Sequence, residues 1–344
     1  MDYRFLYEML ETESPSGFEF NMQKKVMKYM EPYADNFITH HSGNVISVLN
    51  PNGPTKVLLA GHIDEIGLMI SEVLSNGLCR VTRAGGIRAN MYIGQKINAI
   101  TLDGRRVPGV CNVIQGALEK KINAEDLLVD FGVDSKEECL KLVRPGDYVI
   151  FDTTYRHLAN QRLASRALDD KIGAFICLEA LKRAKEYQTE NGVFTLTTVG
   201  EETTMRGATF GGYMVQPDLA LVVDVTFVTG TAEKVGCGDV HLGKGPVLCH
   251  SSIVNKKLNR MLEDTAKEYN IPIQYEIAVG TTGTDADRIY YTKEGIPCAL
   301  ISIPLKNMHS PSEICDLQDV EAIIELIARF ICRLDKPSFN PYEE

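Results

Sequence analysis

The sequence predicts an α/β protein in which a small, mainly β domain is inserted into a larger domain. Two observations lead to this prediction. Outside residues 67–157, short and nearly continuous apolar runs alternate with longer segments of helical periodicity, which is typical of buried strands connected by helices. Within residues 67–157, brief apolar runs are instead separated by turns, which is typical of a mainly β module.

The larger part carries the patterns of a sheet with helices packed against it. Strands are predicted at 44–49, 56–60, 193–199, 218–226, 274–279 and 298–303. Helical periodicity predicts helices at 172–187, 255–269 and 319–334. The chain is therefore divided into a discontinuous catalytic domain, residues 1–66 and 158–344, and an inserted domain, residues 67–157.

Two local signals describe the insertion. Asp103-Gly104 lies between two apolar runs, and this dipeptide strongly favours a tight hairpin turn. Ser135 with Glu138 three residues later has the spacing of a capping box, which predicts a helix at 135–142.

Composition restricts the class of protein. The 344 residues carry a net charge of −10, which argues against nucleic-acid binding because that needs a basic face. No apolar run approaches the 18 or so residues of a membrane span, and Met1-Asp2-Tyr3-Arg4 does not resemble a signal peptide. The nine cysteines are scattered without a C-x-x-C pair, which is typical of reduced thiols. We therefore expect a soluble cytoplasmic protein.

Side chains that bind metals follow the apolar runs. His62 and Asp64 end the run at 56–60, and in an extended chain they lie on the same side. A metal-bound imidazole is commonly oriented by a carboxylate on its other nitrogen. A structural histidine that is hydrogen-bonded to a nearby acid explains this pair equally well.

The run at 193–199 ends in Gly200-Glu201-Glu202. Because ligands of open α/β sheets bind beyond the carboxyl ends of the strands, this acidic pair is poorly explained as surface charge. In an extended chain Glu201 and Glu202 point in opposite directions, so we expect them to have different roles.

Three further positions complete the pattern. Asp224 lies inside a near-continuous apolar strand, where a carboxylate needs a partner. Asp169 and Asp170 precede a helix, and helix capping explains only one of them. His309 follows the last buried strand. Two histidines with several carboxylates suit Zn²⁺, Mn²⁺ or Co²⁺, and an acid-rich set can hold two ions that share one bridging carboxylate.

Several short motifs resemble those of the dinuclear-metal aminopeptidase family that includes glutamyl, deblocking and tetrahedral aminopeptidases. The resemblance extends over nearly the whole chain and depends on these segments: Gly61-His62-Ile63-Asp64-Glu65-Ile66-Gly67, Ala167-Leu168-Asp169-Asp170-Lys171, Glu201-Glu202, Asp224-Val225-Thr226, Gly283-Thr284-Asp285-Ala286 and Met308-His309-Ser310-Pro311-Ser312-Glu313. The chain departs from many relatives at Gly200, where glutamine is common, and at Thr203-Thr204-Met205.

The resemblance implies a zinc-peptidase-like mixed sheet flanked by helices, an inserted β-barrel and two divalent metal ions per subunit, with zinc favoured over cobalt or manganese. It implies that the metal ligands are His62, Asp169, Glu202, Asp224 and His309. Asp169 would bridge the ions, Glu201 would be the general base, and Asp64 would orient His62. It also implies short peptide substrates and large hollow homo-oligomers such as tetrahedral dodecamers.

Three other functions remain open at this stage. A glycosidase of the endoglucanase type needs only two carboxylates, but it leaves the histidines unexplained, and the chain has no Trp to stack on sugars. A carboxypeptidase or deacylase of the same clan would need an arginine for the substrate carboxylate, with Arg88, Arg206 and Arg288 as candidates. An inactive, metal-bound assembly protein would have no use for Glu201 as a base.

Overall fold

A mixed eight-stranded sheet forms the centre of the larger part of the protein. The computed structural model describes residues 1–114, 121–230, 238–340 and 342. From one edge to the other, the strands of the sheet are β1 (Asn36–Thr39), β2 (Val45–Leu49), β12 (Gly192–Thr198), β3 (Lys56–His62), β13 (Leu219–Phe227), β16 (Cys298–Leu305), β14 (Val247–Ser251) and β15 (Gln274–Ala278).

The four central strands β12, β3, β13 and β16 run parallel. They are buried along almost their whole length, which explains why they read as continuous apolar runs in the sequence. Their carboxyl ends meet at one edge, and that edge carries the candidate site.

Helices cover both faces of the sheet. Alternate strand residues pack into two separate apolar clusters, one with Leu59 and Leu221 and the other with Leu58 and Val222. The helices of the first cluster are α1 (Arg4–Glu11), α2 (Phe20–Met30), α4 (Leu168–Glu186), α7 (Lys256–Glu268) and α9 (Leu317–Arg333). The second cluster includes α6 (Arg206–Val215) and α8 (Ala286–Ile289). None of the helices in the described parts of the chain is both long enough and apolar enough to cross a membrane.

A closed six-stranded barrel forms the second part of the molecule. In barrel order its strands are β4 (Gly67–Val73), β5 (Cys79–Ala84), β8 (Leu127–Asp130), β7 (Arg106–Val113), β6 (Lys96–Ile100) and β9 (Tyr148–Phe151). The predicted hairpin joins β6 to β7, with Gly104 at a φ of 82°. The predicted capping residue Ser135 accepts a hydrogen bond from the Glu138 N–H, at 3.3 Å, at the start of α3 (Lys136–Leu142).

The predicted fold class, a mixed sheet flanked by helices together with a small barrel, is confirmed. A three-stranded sheet of β10 (Arg156–His157), β11 (Arg162–Ser165) and β17 (Glu313–Asp316) lies outside the barrel. The exact division into residues 1–66 with 158–344 and an insertion of 67–157 stays a prediction.

Candidate metal centre and active site

The residues selected from the sequence come together in one cavity at the carboxyl ends of the central strands. The cavity has a volume of about 500 Å³. Six of the seven predicted site residues line it: His62, Asp169, Glu201, Glu202, Asp224 and His309. The seventh, Asp64, is completely buried behind His62.

Asp169 lies between the two histidines. Its Oδ1 is 3.1 Å from His62 Nε2, and its Oδ2 is 3.2 Å from His309 Nε2. Asp169 and the next residue have non-helical backbone angles at the start of α4. Asp170 Oδ1 accepts the Gly173 N–H at 3.1 Å, so Asp170 caps the helix and leaves the Asp169 carboxylate for the cavity.

Each histidine is oriented through its Nδ1 atom. His62 Nδ1 is 3.1 Å from the Asp64 carbonyl oxygen and 3.6 Å from Asp64 Oδ1, while His309 Nδ1 is 2.7 Å from the Gly86 carbonyl oxygen. Because a carbonyl oxygen can only accept, we assign the proton to Nδ1 in both rings. In the neutral, metal-binding form of each ring, the Nε2 lone pair then faces Asp169.

Glu201 and Glu202 do not lie in extended chain, so the expectation based on an extended chain was wrong about their backbone. Gly200 has a left-handed φ of 65°, and the two residues begin a short helix, α5 (Glu201–Thr204). A side chain at position 200 would meet only the flexible guanidinium end of Arg206, so the left-handed φ is the feature that favours glycine here. Their side chains nevertheless diverge, because Glu201 Oε2 is 3.8 Å from His62 Nε2 and Glu202 Oε1 is 3.7 Å from His309 Nε2.

Asp64 fixes this turn as well as His62. Its Oδ1 accepts the Glu201 N–H at 3.0 Å, and its Oδ2 accepts the Glu202 N–H at 3.2 Å. The first N–H groups of a helix have no partner within the helix, and a carboxylate is a favourable acceptor for them. The sequence predicted that the Asp64 carboxylate orients His62, which stays a prediction, and it missed the contact with this turn.

Other acids that the sequence analysis left without a role hold the site residues in place. Glu313 accepts the His309 N–H at 2.7 Å and the Asp169 N–H at 3.1 Å. Asp285 is buried and accepts the Thr198 hydroxyl hydrogen. The motif around His309 already contained Glu313, and the motif at 283–286 contained Asp285, but neither spacing indicated these contacts.

The site has a strong excess of negative charge, and this charge changes the pKa of both histidines. Burial lowers the pKa of His62, but the contacts with Asp169 and Asp64 more than offset this, and the net pKa is raised well above its ordinary value. The same balance, with Asp169 and Glu202 as the opposing carboxylates, raises the pKa of His309 to about 10.

The carboxylates respond to burial and to one another. Burial and the Asp169 charge raise the pKa of Glu202 to about 8, and burial together with the charges of nearby acids raises the pKa of Glu201 and of Asp224. Asp169 is the exception, because both imidazoles, when protonated, donate hydrogen bonds to it that outweigh its burial and lower its pKa.

These residues fit divalent metal ions. The ligand atoms of His62, Asp169 and Glu202 lie within 4.8 Å of one another, as do those of His62, Asp170 and Asp224. Glu202 Oε1 is buried without a hydrogen-bond partner. With protons on Nδ1 alone, the imidazoles would turn lone pairs toward the Asp169 carboxylate, and a metal cation between these atoms would satisfy all three groups. Imidazole nitrogens and carboxylate oxygens are the donors that Zn²⁺, Mn²⁺ and Co²⁺ accept.

Comparison with known proteins gives consistent matches over most of the chain. Residues 43–326 match the family model described as M42 glutamyl aminopeptidase. The lysyl aminopeptidase of Pyrococcus furiosus is 32% identical to this chain, and the alignment covers 99% of this chain and 100% of that protein. The TET aminopeptidase of the marine sediment archaeon Thaumarchaeota archaeon SCGC AB-539-E09 is 32% identical, with a TM-score of 0.90 over 96% of each chain.

A further solved structure, the Pyrococcus horikoshii TET1 peptidase, is 29% identical, with a TM-score of 0.84 over 96% of this chain and 98% of that one. The fold and the histidine–carboxylate cavity thus define an α/β peptidase with an additional barrel. The chain belongs to the M42 glutamyl aminopeptidase family, and the resemblance seen in the sequence is confirmed. Aminopeptidase activity is what the family and its named relatives support.

Proposed function

We propose that this protein is a metal-dependent aminopeptidase that uses two divalent ions and a glutamate base to remove N-terminal residues from short peptides. The observation that carries the proposal is the position of Asp169, whose two oxygens face two different imidazole Nε2 atoms at 3.1 and 3.2 Å. One carboxylate between two ligand sets is the arrangement expected of a bridging ligand.

The proposed ligands are His62, Asp169, Glu202, Asp224 and His309. Zinc is favoured, with cobalt or manganese as alternatives. When bound, a pair of such ions lowers the pKa of a water molecule and polarises a carbonyl group. Asp64 would act as a positioning residue, because its carboxylate contacts both the His62 ring and the turn that carries the two glutamates.

Glu201 is the proposed general base. It lines the cavity, is 8% exposed and is absent from both ligand groups of the described residues. Its carboxylate would take a proton from the attacking water and return it to the leaving amine as the carbon–nitrogen bond breaks.

The same cavity disfavours the rival functions. A two-carboxylate glycosidase does not need two oriented imidazoles. A carboxypeptidase would need a cation for the substrate carboxylate, and Arg88, Arg206 and Arg288 are all absent from the described residues that line the cavity. Arg206 is instead 3.4 Å from Glu19.

Assembly and location are also part of the proposal. The Pyrococcus horikoshii relative can assemble into a tetrahedron or a large octahedral shell, which supports a homo-oligomer here, with a tetrahedral dodecamer as the expected form. The cysteines in the described residues carry free thiols, which supports a cytoplasmic location.

Turnover of a panel of aminoacyl-anilides by the metal-loaded protein, with a soluble cellulose derivative as a parallel substrate, tests the activity. We expect hydrolysis of anilides that have a free α-amino group, and no hydrolysis of their N-acetylated forms or of the cellulose derivative. Cleavage of cellulose without cleavage of any anilide would favour the glycosidase and reject the proposal.

A further inference from the structure

Glu276 lies in the wall of the cavity and has no role in the proposed chemistry. It belongs to β15, the edge strand, and it pairs in register with Cys249 of β14. Its side chain extends inward across β14, because its carboxylate contacts residues of the next two strands, β16 and β13. Glu276 and Cys249 both line the cavity.

The partners of this carboxylate are neutral. The Ser302 hydroxyl donates to Oε1, and the Thr226 hydroxyl donates to Oε2. Among the described residues, no Lys, Arg or His forms an ion pair with it, and burial raises the pKa of Glu276. A half-buried carboxylate that is held in one orientation by two hydroxyls, without a counter-charge, is a favourable partner for a cation that enters the cavity.

The rest of the lining is consistent with a cationic guest. No lysine or arginine is present among the described residues that line the cavity, and its two histidines, His62 and His309, belong to the candidate metal centre. Apolar groups of Phe227, Ile277 and Met308 also line it and could pack against an aliphatic stem.

Glu276 is connected to the candidate metal centre through β13. Thr226, which donates to Glu276, follows Asp224 by two residues on β13. Two residues of extended strand span roughly 7 Å. We expect a substrate whose scissile bond lies at the metal ligands to reach toward Glu276 with a side chain about as long as lysine, a compact charge on a four-carbon stem.

We propose that Glu276 determines specificity, and that the cavity accepts peptides whose N-terminal residue has a long cationic side chain, lysine or arginine. This inference rests on the proposed aminopeptidase function and adds the substrate class to it. The descriptions of relatives do not decide the matter, because the family model refers to glutamyl and the Pyrococcus furiosus relative to lysyl substrates.

The test compares lysyl- and norleucyl-anilide, because norleucine has the lysine stem without the ammonium group. We expect the wild-type protein to favour the lysyl substrate in kcat/KM by at least about tenfold, since the ammonium would pair with a poorly solvated carboxylate. Glu276→Gln keeps the shape of the side chain and should reduce this ratio by about tenfold or more. Glu276→Asp keeps the charge and should retain part of the preference.

Glu186→Gln is the matched control, because it makes the same charge change at the exposed end of α4, the end opposite Asp169, and should leave the ratio unchanged. A wild-type ratio near one, or an unchanged ratio in Glu276→Gln, would overturn the inference while leaving the aminopeptidase proposal intact.

Calorimetric binding of lysinamide and norleucinamide separates the two proposals. We expect wild type to bind lysinamide more tightly and Glu276→Gln to lose that difference, whether or not any anilide is cleaved. Selective binding without turnover would reject the proposed function and retain the role of Glu276. Equal binding of the two amides would reject the role of Glu276.

Discussion

Two clusters of buried charge share two stretches of chain, and they differ in whether the protein supplies its own counter-charge. The matched cluster consists of Glu65, Arg166 and Lys171. The unmatched cluster consists of His62, Asp169, Glu201, Glu202, Asp224 and His309. Residues 62–65 and 166–171 contribute to both clusters, so side chains that are close in the sequence belong to different clusters.

In the matched cluster, the buried carboxylate of Glu65 is paired with cations of the protein itself. Glu65 forms ion pairs with both Arg166 and Lys171, and Lys171 Nζ is 2.8 Å from Glu65 Oε1 and 2.7 Å from the Thr12 carbonyl oxygen. Burial raises the pKa of Glu65, but the two cations and the Ser14 N–H more than offset this and lower it to about 2. All of its charge partners belong to the fold, which is the pattern of a structural network.

In the unmatched cluster, the buried carboxylates have no lysine or arginine partner of this kind within the described parts of the chain. Its carboxylates face imidazoles and one another, and no lysine or arginine of the described residues lines the cavity. Concentrated and poorly solvated negative charge must be balanced from outside the chain. We use this difference to distinguish the candidate site from a structural network, because only the candidate site lacks lysine or arginine counter-charges among the described residues.

Removal of metal should have the largest effect. If the unmatched cluster depends on divalent ions, exhaustive chelation and dialysis should abolish hydrolysis, and Zn²⁺, Co²⁺ or Mn²⁺ should restore it. His62→Ala, Asp169→Asn and His309→Ala should each lower the metal content measured by atomic emission. Full activity of the chelated protein would show that the cluster needs no metal.

Within the unmatched cluster, the two adjacent glutamates should separate into different roles. Glu201→Gln should keep its metal while kcat falls by about 10²–10⁴-fold, the usual loss when a general base is removed. KM should change little, because ground-state binding is retained. Glu202→Gln makes the same chemical change at the neighbouring residue, and it should lose metal and activity together. The reverse result, with metal lost only from Glu201→Gln, would exchange the two assignments.

The sequence predicted most members of the unmatched cluster because each is tied to a strong local signal. His62 and Asp224 end or interrupt buried parallel strands, and parallel strands bring their carboxyl ends to one edge. The backbone at Glu201 was not predictable in this way, because it depends on the left-handed Gly200 and on Asp64, which is 137 residues away in the chain.

Long-range contacts also explain what the sequence did not indicate about Glu65 and Glu276. Glu65 lies 101 and 106 residues from its two cations, so no spacing in the sequence connects them. Glu276 was predicted to lie in a strand, but nothing local indicated that its side chain crosses β14 toward Thr226. Periodicity predicts elements and faces, whereas pairing between distant side chains depends on the completed fold.

The matched cluster should respond to mutation in stability. Glu65→Gln leaves Arg166 and Lys171 buried without their anion, which should cost about 3–5 kcal/mol of the free energy of unfolding. Because folding lowers the pKa of Glu65 from 4.5 to about 2, its contribution is complete above about pH 4.5 and is lost as the pH falls toward 2. The difference in melting temperature between wild type and variant should therefore be constant near neutral pH and shrink below pH 4.5.

An exposed pair of the same chemistry provides the control for this prediction. Glu72 of β4 lies with its Oε2 3.4 Å from Arg80 Nε of β5, and their side chains are 57% and 47% exposed. Water already solvates both charges, so Glu72→Gln should change stability by no more than about 1 kcal/mol, and added salt should reduce that effect further. Thermal melts of the two variants under identical conditions make the comparison. If Glu65→Gln proved no more costly than Glu72→Gln, the Glu65 network would not be structural, and internal pairing would no longer distinguish it from the metal centre.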